Sequence, residues 1–179
     1  MARATDNYFE LSYEQRKQFL GCASTFSLCK TIIMQNTRYA DEVGKCPELA
    51  DDPSYPRFII CVVQFEKQLK AQNLTTIMRD YQHSKAKEGG KKMGIKGFHY
   101  RMAEEKDALE LSGYDYNAIT PFFMNGGGEK LPIILAQDIA ELDPAYLWFS
   151  GGRIQIKMGV SVPDFVEYFK ERVTIAKIY

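Results

Sequence analysis

Residues 146–158 read YLWFSGGRIQIKM, two strand-like runs that flank a turn containing one hydroxyl and two glycines. The first run, Tyr146 to Phe149, is apolar, whereas the second, Ile154 to Met158, alternates apolar and polar side chains. Glycine adopts backbone angles that other residues avoid and lets a ligand approach the main chain closely. The pattern therefore predicts a β-hairpin whose turn, Ser150-Gly151-Gly152, is either a plain turn or one wall of a site.

Outside the hairpin, further apolar runs predict the rest of a sheet. The run from Phe58 to Phe65 is strongly apolar and β-branched, which is typical of a central strand. We expect additional strands over Lys30 to Met34, Ile119 to Met124 and Leu131 to Leu135. The glycine-rich stretch from Asn125 to Gly128 lacks the Gly-Lys-[Ser/Thr] ending of a phosphate-binding loop and predicts a turn.

Helices are predicted between these strands. Ser12 followed by Gln15 has the form of a capping box, and Ser161-Val162-Pro163-Asp164 is typical of a capped helix start. The remaining helices are expected over Gln68–Tyr81, over residues 103–112 with Gly113 as C-cap, and near Gln137–Leu142. In the last helix we expect a buried face made by Phe165, Val166, Phe169 and Val173.

Strands and helices are interspersed without strict alternation, which predicts an α/β fold of the mixed α+β kind with helices outside a mixed sheet. At 179 residues the chain is expected to form a single domain, 1–179. Within it we expect an N-terminal helical arm (1–21), a loop insertion (36–57) and a flexible basic loop (82–101).

Composition narrows the function classes. The net charge is zero, so any nucleic-acid contact must come from a local patch. The four cysteines form no Cys-x-x-Cys pair, which argues against a metal site, and Cys29 and Cys61 are predicted to be buried thiols. No secretory signal is visible, and no apolar run approaches the ~20 residues of a membrane helix, so we expect a cytoplasmic protein without membrane contact.

Lys30 is the first candidate for chemistry. Side chains alternate across a strand, so Lys30 is predicted to share a face with Ile32 and Met34. Either the ammonium reaches solvent from the strand end, or it is a partly buried cation that binds a phosphate or polarises a carbonyl.

Two other segments could meet Lys30. In the first, comprising Asn117, Ala118, Ile119, Thr120 and Pro121, the proline is expected to kink the chain and to turn main-chain N–H groups toward a ligand; otherwise the segment is an ordinary loop–strand junction. The basic loop is either a solvated loop or an arm that contacts phosphates. Its cationic residues are Lys85, Lys87, Lys91, Lys92, Lys96 and Arg101.

Taken in order, these segments resemble the YbaK/ProX superfamily of trans-editing aminoacyl-tRNA deacylases. The matching motifs are Cys29-Lys30-Thr31-Ile32, Ser112-Gly113-Tyr114 through Thr120-Pro121, Leu131-Pro132-Ile133-Ile134-Leu135 and Ser150-Gly151-Gly152. The apolar strand and helix over Phe58–Phe65 and Gln68–Tyr81 lie between them, and the resemblance extends from about Cys22 to Phe169. Bacterial editing members carry glycine where this chain has Asn117.

The resemblance implies a mixed, partly barrel-like sheet and hydrolysis of the ester that joins a wrong amino acid to a tRNA. It implies that Lys30 is the essential site lysine, that no covalent nucleophile, cofactor or metal is needed, and that 117–121 and 150–152 line the aminoacyl pocket. The implied partners are a mischarged tRNA and an aminoacyl-tRNA synthetase. Two alternatives stay open: a non-catalytic module of the same fold that binds tRNA ends or a synthetase, and a hydrolase of another small ester or amide.

Overall fold

The computed structural model of the chain describes residues 1–86, 88 and 90–179. Its strands are β1 (Ala2–Arg3), β2 (Cys29–Asn36), β3 (Phe58–Gln64), β4 (Tyr100–Met102), β5 (Ile133–Ala136), β6 (Tyr146–Ser150), β7 (Ile156–Ser161) and β8 (Val173–Ala176). Its α-helices are α1 (Tyr13–Leu20), α2 (Tyr39–Lys45), α3 (Ala71–Lys85), α4 (Glu105–Ser112), α5 (Gln137–Ala140) and α6 (Val162–Phe169). Short 3-10 helices span Tyr8–Glu10, Thr25–Ser27, Pro47–Asp51, Ile95–Gly97, Gly128–Lys130 and Lys170–Arg172.

The larger sheet has the order β4-β2-β3-β5-β8 and mixes antiparallel with parallel pairing. Its central strand β3 is buried along its whole length, as the apolar run over Phe58–Phe65 predicts. Because removal of apolar surface from water is the main force that favours folding, this strand anchors the core. Leu74 and Met78 of α3 and Phe165 of α6 belong to the same buried cluster.

The smaller sheet, of order β1-β7-β6, contains the predicted hairpin, but Ser150 still belongs to β6 and residues 151–155 form the connection, so β7 begins two residues later than predicted. An isolated parallel bridge between Leu28 and Trp148 joins it to the start of β2. The two sheets therefore meet at this bridge without closing into a barrel. The mixed α/β fold predicted from the sequence is confirmed.

Local capping signals set the helix ends as predicted. The Ser12 hydroxyl accepts a hydrogen bond from the main-chain N–H of Gln15, and the Gln15 side chain accepts one from the N–H of Ser12, which completes the capping box. Gly113 ends α4 in the left-handed conformation, and Ser161 caps α6. None of the helices in the described part of the chain is long and apolar enough to cross a membrane.

Two predicted loops contain regular structure. The segment 36–57 connects the paired strands β2 and β3, but α2 and the 3-10 helix at Pro47–Asp51 lie within it. The segment 82–101 begins inside α3 and ends inside β4. The buried Gln82 side chain donates a hydrogen bond to the carbonyl of Lys91 and accepts one from the N–H of Met93. These bonds fasten residues 91–93 to α3.

The predicted strand over Ile119–Met124 is wrong. Pro121 has no N–H to donate, and Phe123 has a positive φ of 57°, so this apolar stretch cannot continue a ladder. The hydroxyl of Tyr114 instead donates a hydrogen bond to the carbonyl of Phe122 at 2.8 Å, which holds the segment as a loop. The prediction for Val173 is wrong as well. Val173 begins β8 and is not part of α6.

Candidate functional site

The candidate site is a pocket of about 420 Å³ beside the first half of β2. Most of its lining comes from β2, α4, the loop after α4 and the end of β6, and Phe9, Phe65, Met102 and Ala103 complete it. The wall residues are Phe9, Lys30, Thr31, Ile32, Ile33, Phe65, Met102, Ala103, Glu105, Ala108, Leu109, Tyr114, Tyr116, Asn117, Ile119 and Ser150. The pocket thus combines a mainly apolar wall with one lysine and a few polar groups.

Lys30 is half-buried on this wall, with its ammonium nitrogen 5.6 Å from the centre of the Phe65 ring. A cation over an aromatic face is attracted by the ring quadrupole, so Phe65 favours this position of the amine. Among the hydrogen bonds and ion pairs of residues 1–86, 88 and 90–179, none engages the Lys30 amine. Its donors are therefore free for a ligand in the pocket.

Asn117 occupies a turn whose geometry explains its residue type. The N–H of Ala118 donates to the carbonyl of Asp115 at 2.9 Å, which closes a four-residue turn. Asn117 is its third residue and has a φ of 65°. A type II turn requires a positive φ at this position, and asparagine is, after glycine, the residue that tolerates it.

Ser150 links this turn to the hairpin. Its hydroxyl donates a hydrogen bond to the main-chain carbonyl of Asn117 at 2.7 Å. Behind it, Gly152 has a φ of 86° and lies against the Tyr114 ring, where a Cβ would come within 2.9 Å of the ring carbons. The hairpin turn therefore supports the pocket loop from outside.

The predicted site residues divide into two groups. Lys30, Asn117, Ile119 and Ser150 meet on one wall, whereas the remaining predicted residues do not line the pocket. Ala118 and Thr120 are almost fully buried, Pro121 is buried beside them, and Gly151 and Gly152 lie behind the wall. Their contribution is to fix the turn and the hairpin that carry Asn117 and Ser150.

The predicted basic patch is dispersed. Lys85 pairs with Glu171 and Arg101 with Glu104, while Lys91 lines a separate cavity together with Asp51 and Asp52. Lys92 and Lys96 are exposed. Lys87 lies outside the described residues. None of the five described cations lines the Lys30 pocket.

Sequence reasoning missed the aromatic wall formed by Phe9 and Phe65. Arg16 holds Phe9 in place, because its guanidinium donates to the carbonyls of Leu11 and Phe9 at 3.0 and 2.6 Å. No sequence pattern pointed to this N-terminal contact. By contrast, Tyr114 and Tyr116 come just before the predicted site segment 117–121 and could have been found by their proximity to it.

A second lysine lies behind the Phe9 wall. Lys157 is 3% exposed, and its ammonium nitrogen is 4.3 Å from the centre of the Phe9 ring and 4.6 Å from that of Tyr8. Burial, with a smaller effect of the nearby Arg16 charge, lowers the pKa of Lys157 to about 8. Lys157 adds positive potential to this side of the pocket without reaching its lining.

The site offers no activated nucleophile among the described residues. The Ser150 hydroxyl proton is engaged by Asn117, and neither histidine lines the pocket. Cys29 is free but buried, and burial raises the pKa of its thiol well above the ordinary value. The arrangement suits the binding and polarisation of a carbonyl rather than covalent attack by the protein.

Comparison with known proteins shows the fold alone. The sequence matches no protein-family model and no curated protein. A solved structure described as a proposed trans-editing enzyme for prolyl tRNA synthetase is 14% identical, with a TM-score of 0.65 over 99% of this chain and 83% of that one. A structure from a computational epitope-grafting study on scaffold proteins is 11% identical, with the same TM-score and coverage. A hypothetical protein is 15% identical, with a TM-score of 0.61 over 93% of this chain and 83% of its own.

The turn geometry predicts how Asn117 responds to substitution. Asn117→Gly should leave the free energy of unfolding within about 0.5 kcal/mol of the parent, since glycine adopts a positive φ freely. Asn117→Ala should lower it by about 1 kcal/mol, because alanine lacks the short polar side chain through which asparagine tolerates the left-handed region. Urea unfolding measures both values, and equal stability of the two variants would contradict the turn assignment.

Proposed function

We propose that the protein hydrolyses the ester bond between an amino acid and the terminal ribose of a mischarged tRNA. The observation that carries this proposal is that Lys30 shares one pocket with the Asn117 turn and Ser150. These are three of the segments on which the resemblance to aminoacyl-tRNA deacylases rests. A small, mainly apolar cavity with a free ammonium suits an amino acid attached through a polarisable carbonyl.

The reaction needs a water molecule and a stabilised oxyanion. Water adds to the ester carbonyl, negative charge develops on the carbonyl oxygen, and the bond to the ribose oxygen then breaks. The ribose oxygen takes a proton, so the products are the free amino acid and a tRNA with a free terminal hydroxyl. Lys30 stabilises the oxyanion with its positive charge, and a ribose hydroxyl of the substrate assists the water. Positioning and electrostatic stabilisation then supply the rate.

The pocket wall supports a small amino acid as the substrate group. Ile32, Ile119 and Ala108 give this wall an apolar surface. One methylene group changes binding in such a pocket by only about 1–3 kcal/mol, which makes a separate editing step useful for small amino acids.

The structural likenesses support the proposal at the level of the fold. One neighbour is described as a proposed trans-editing enzyme for prolyl tRNA synthetase, and its fold covers nearly this whole chain. We extend its substrate class to this chain because Lys30 and the turn at Asn117 are in place. A synthetase that hands over the mischarged tRNA is the partner that this activity implies.

The tRNA body requires a contact surface beyond the pocket. Lys92 and Lys96 are exposed and take part in none of the ion pairs found among the described residues. Both follow α3 on the polypeptide, and Gln82 fastens residues 91–93, which include Lys92. We assign the phosphate contacts to these two lysines.

Lys30→Ala tests the proposed chemistry. The substitution should lower kcat/KM for deacylation of mischarged tRNA by about 100-fold or more, because the main charge facing the oxyanion is lost. A deacylation assay over several mischarged tRNAs measures this, with circular dichroism to verify folding. Lys45→Ala serves as the matched control, since Lys45 is an exposed lysine that pairs with Glu42 on α2.

The proposed activity is refuted if the parent protein clears no mischarged tRNA, or if the Lys30 variant is as active as the parent. Hydrolysis of simple aminoacyl esters without hydrolysis of mischarged tRNA would point to the alternative small-ester hydrolase.

The phosphate contacts predict a different kinetic change. In the double variant Lys92→Ala, Lys96→Ala, KM for tRNA should rise with little change in kcat, because binding is lost equally in the ground and transition states. The slope of log kcat/KM against log salt, measured at low substrate, should become shallower by about 1.5. An unchanged slope with an unchanged KM would remove these lysines from the tRNA surface.

A further inference from the structure

One wall of the pocket is an open strand edge. Lys30, Thr31, Ile32 and Ile33 are consecutive, yet all four line the pocket. Side chains of consecutive strand residues point to opposite faces of the sheet, so a pocket on one face would contact alternate residues only. The pocket therefore lies beside the strand, along the edge that would otherwise pair with a neighbour.

The hydrogen bonds of β2 show which main-chain groups face that edge. The carbonyl of Leu28 accepts from the N–H of Phe65, and the N–H of Asn36 donates to the carbonyl of Arg57, so the even-numbered residues bond toward β3. The carbonyl of Ile33 accepts from the N–H of Ala103 on the opposite side. Because residues alternate in direction along a strand, the N–H and C=O of Thr31 point away from β3, toward the pocket.

These groups have no strand to pair with. The smaller sheet reaches β2 at the bridge between Leu28 and Trp148, and β4 pairs with it from Met34 onward. Between them, the strand pairings of the described residues give Thr31 no ladder partner on this side, and Ile33 bonds to Ala103 through its carbonyl alone. The hydroxyl of Thr31 is buried without a partner as well. The N–H of Thr31, the carbonyl of Thr31 and the N–H of Ile33 thus border the pocket in a row.

The length of β2 that lacks a neighbouring strand limits what can bind there. It extends over Cys29 to Ile32, which is about 13 Å of strand, and it is closed at both ends. A protein strand needs open ends to pass through, whereas a single amino-acid residue fits between the two closures.

The geometry points to a main-chain subsite in which Thr31 pairs with the aminoacyl group of the substrate, an inference that rests on the proposed function. The α-ammonium of the amino acid donates to the Thr31 carbonyl. The Thr31 N–H donates to the ester carbonyl, on the same wall as Lys30. The amino acid thereby occupies the place of one residue in a neighbouring antiparallel strand. Such pairing reads the backbone of any L-amino acid and leaves selection by size to the side-chain wall.

Proline at position 31 tests this subsite, because it removes the N–H that faces the pocket and keeps the ladder to β3. Proline is tolerated where a strand N–H faces away from its partner strand. Thr31→Val is the matched control, since it retains the N–H and removes the hydroxyl. The probes are non-hydrolysable 3′-aminoacylamino-3′-deoxyadenosines with small side chains, and their affinity is measured by calorimetry.

We expect Thr31→Pro to weaken binding of these amides by about tenfold or more and Thr31→Val to change it less than threefold. A desamino analogue should lose about tenfold with the parent protein. In the parent, amide NMR signals of Thr31 and Ile33 should shift on titration, a readout that does not depend on how the proline variant folds.

Equal affinity of Thr31→Pro and Thr31→Val, full affinity of the desamino analogue, or no binding of the amides by the parent would overturn the subsite. Shifts of the Thr31 amide caused by an extended tetrapeptide but by none of the amides would replace it with a peptide-docking edge. If the amides bind as expected but mischarged tRNA is not hydrolysed, the subsite stands and the proposed deacylase activity fails.

Discussion

The antiparallel pairing of β2 with β3 determines the position of the pocket groups that belong to β2. In its register Lys30 lies opposite Val63 and Ile32 opposite Cys61. A slip of one residue would move each side chain to the other face and would turn the Thr31 main chain toward β3. The slip is prevented by burial, because β3 lies inside the core along its whole length. The most apolar strand of the chain thus fixes the strand that carries Lys30.

The rest of the pocket comes from segments that are distant in sequence, so tertiary bonds must hold it together. The Ser150 hydroxyl connects the hairpin to the Asn117 turn, and the Tyr114 hydroxyl holds the loop that follows. Gly126 lies so close to the end of α4 that a Cβ there would overlap the Glu110 carbonyl. The loop is therefore clamped at several points, and a preorganised wall reduces the ordering cost of ligand binding.

The sequence predicted those parts of the fold whose signal is local. Unbroken apolar character predicted β3, the alternation after Gly152 predicted the hairpin, and the Ser12 capping box predicted α1. The loop over Ile119–Met124 was misread as a strand because its apolar side chains mark burial, while its path depends on a tertiary bond from Tyr114. The helix α2 was missed because it is short and polar and is followed by a stretch with three prolines.

The candidate site was predictable in part for the same reason. Lys30, Asn117, Ile119 and Ser150 are found through motifs, since each lies in a segment with its own turn or strand signal. Phe9 was not predictable, because its place depends on carbonyl contacts of Arg16. The role of the Thr31 main chain was not predictable either. Which strand edge stays open depends on how the strands pair, and the residue types in the strand do not reveal it.

A crystal structure of the protein bound to a 3′-aminoacylamino-3′-deoxyadenosine would test the central claim most directly. The account predicts that the aminoacyl carbonyl lies within hydrogen-bond distance of the Lys30 amine, between β2 and the Asn117 turn. A ligand bound elsewhere, with the Lys30 amine directed to solvent, would contradict it.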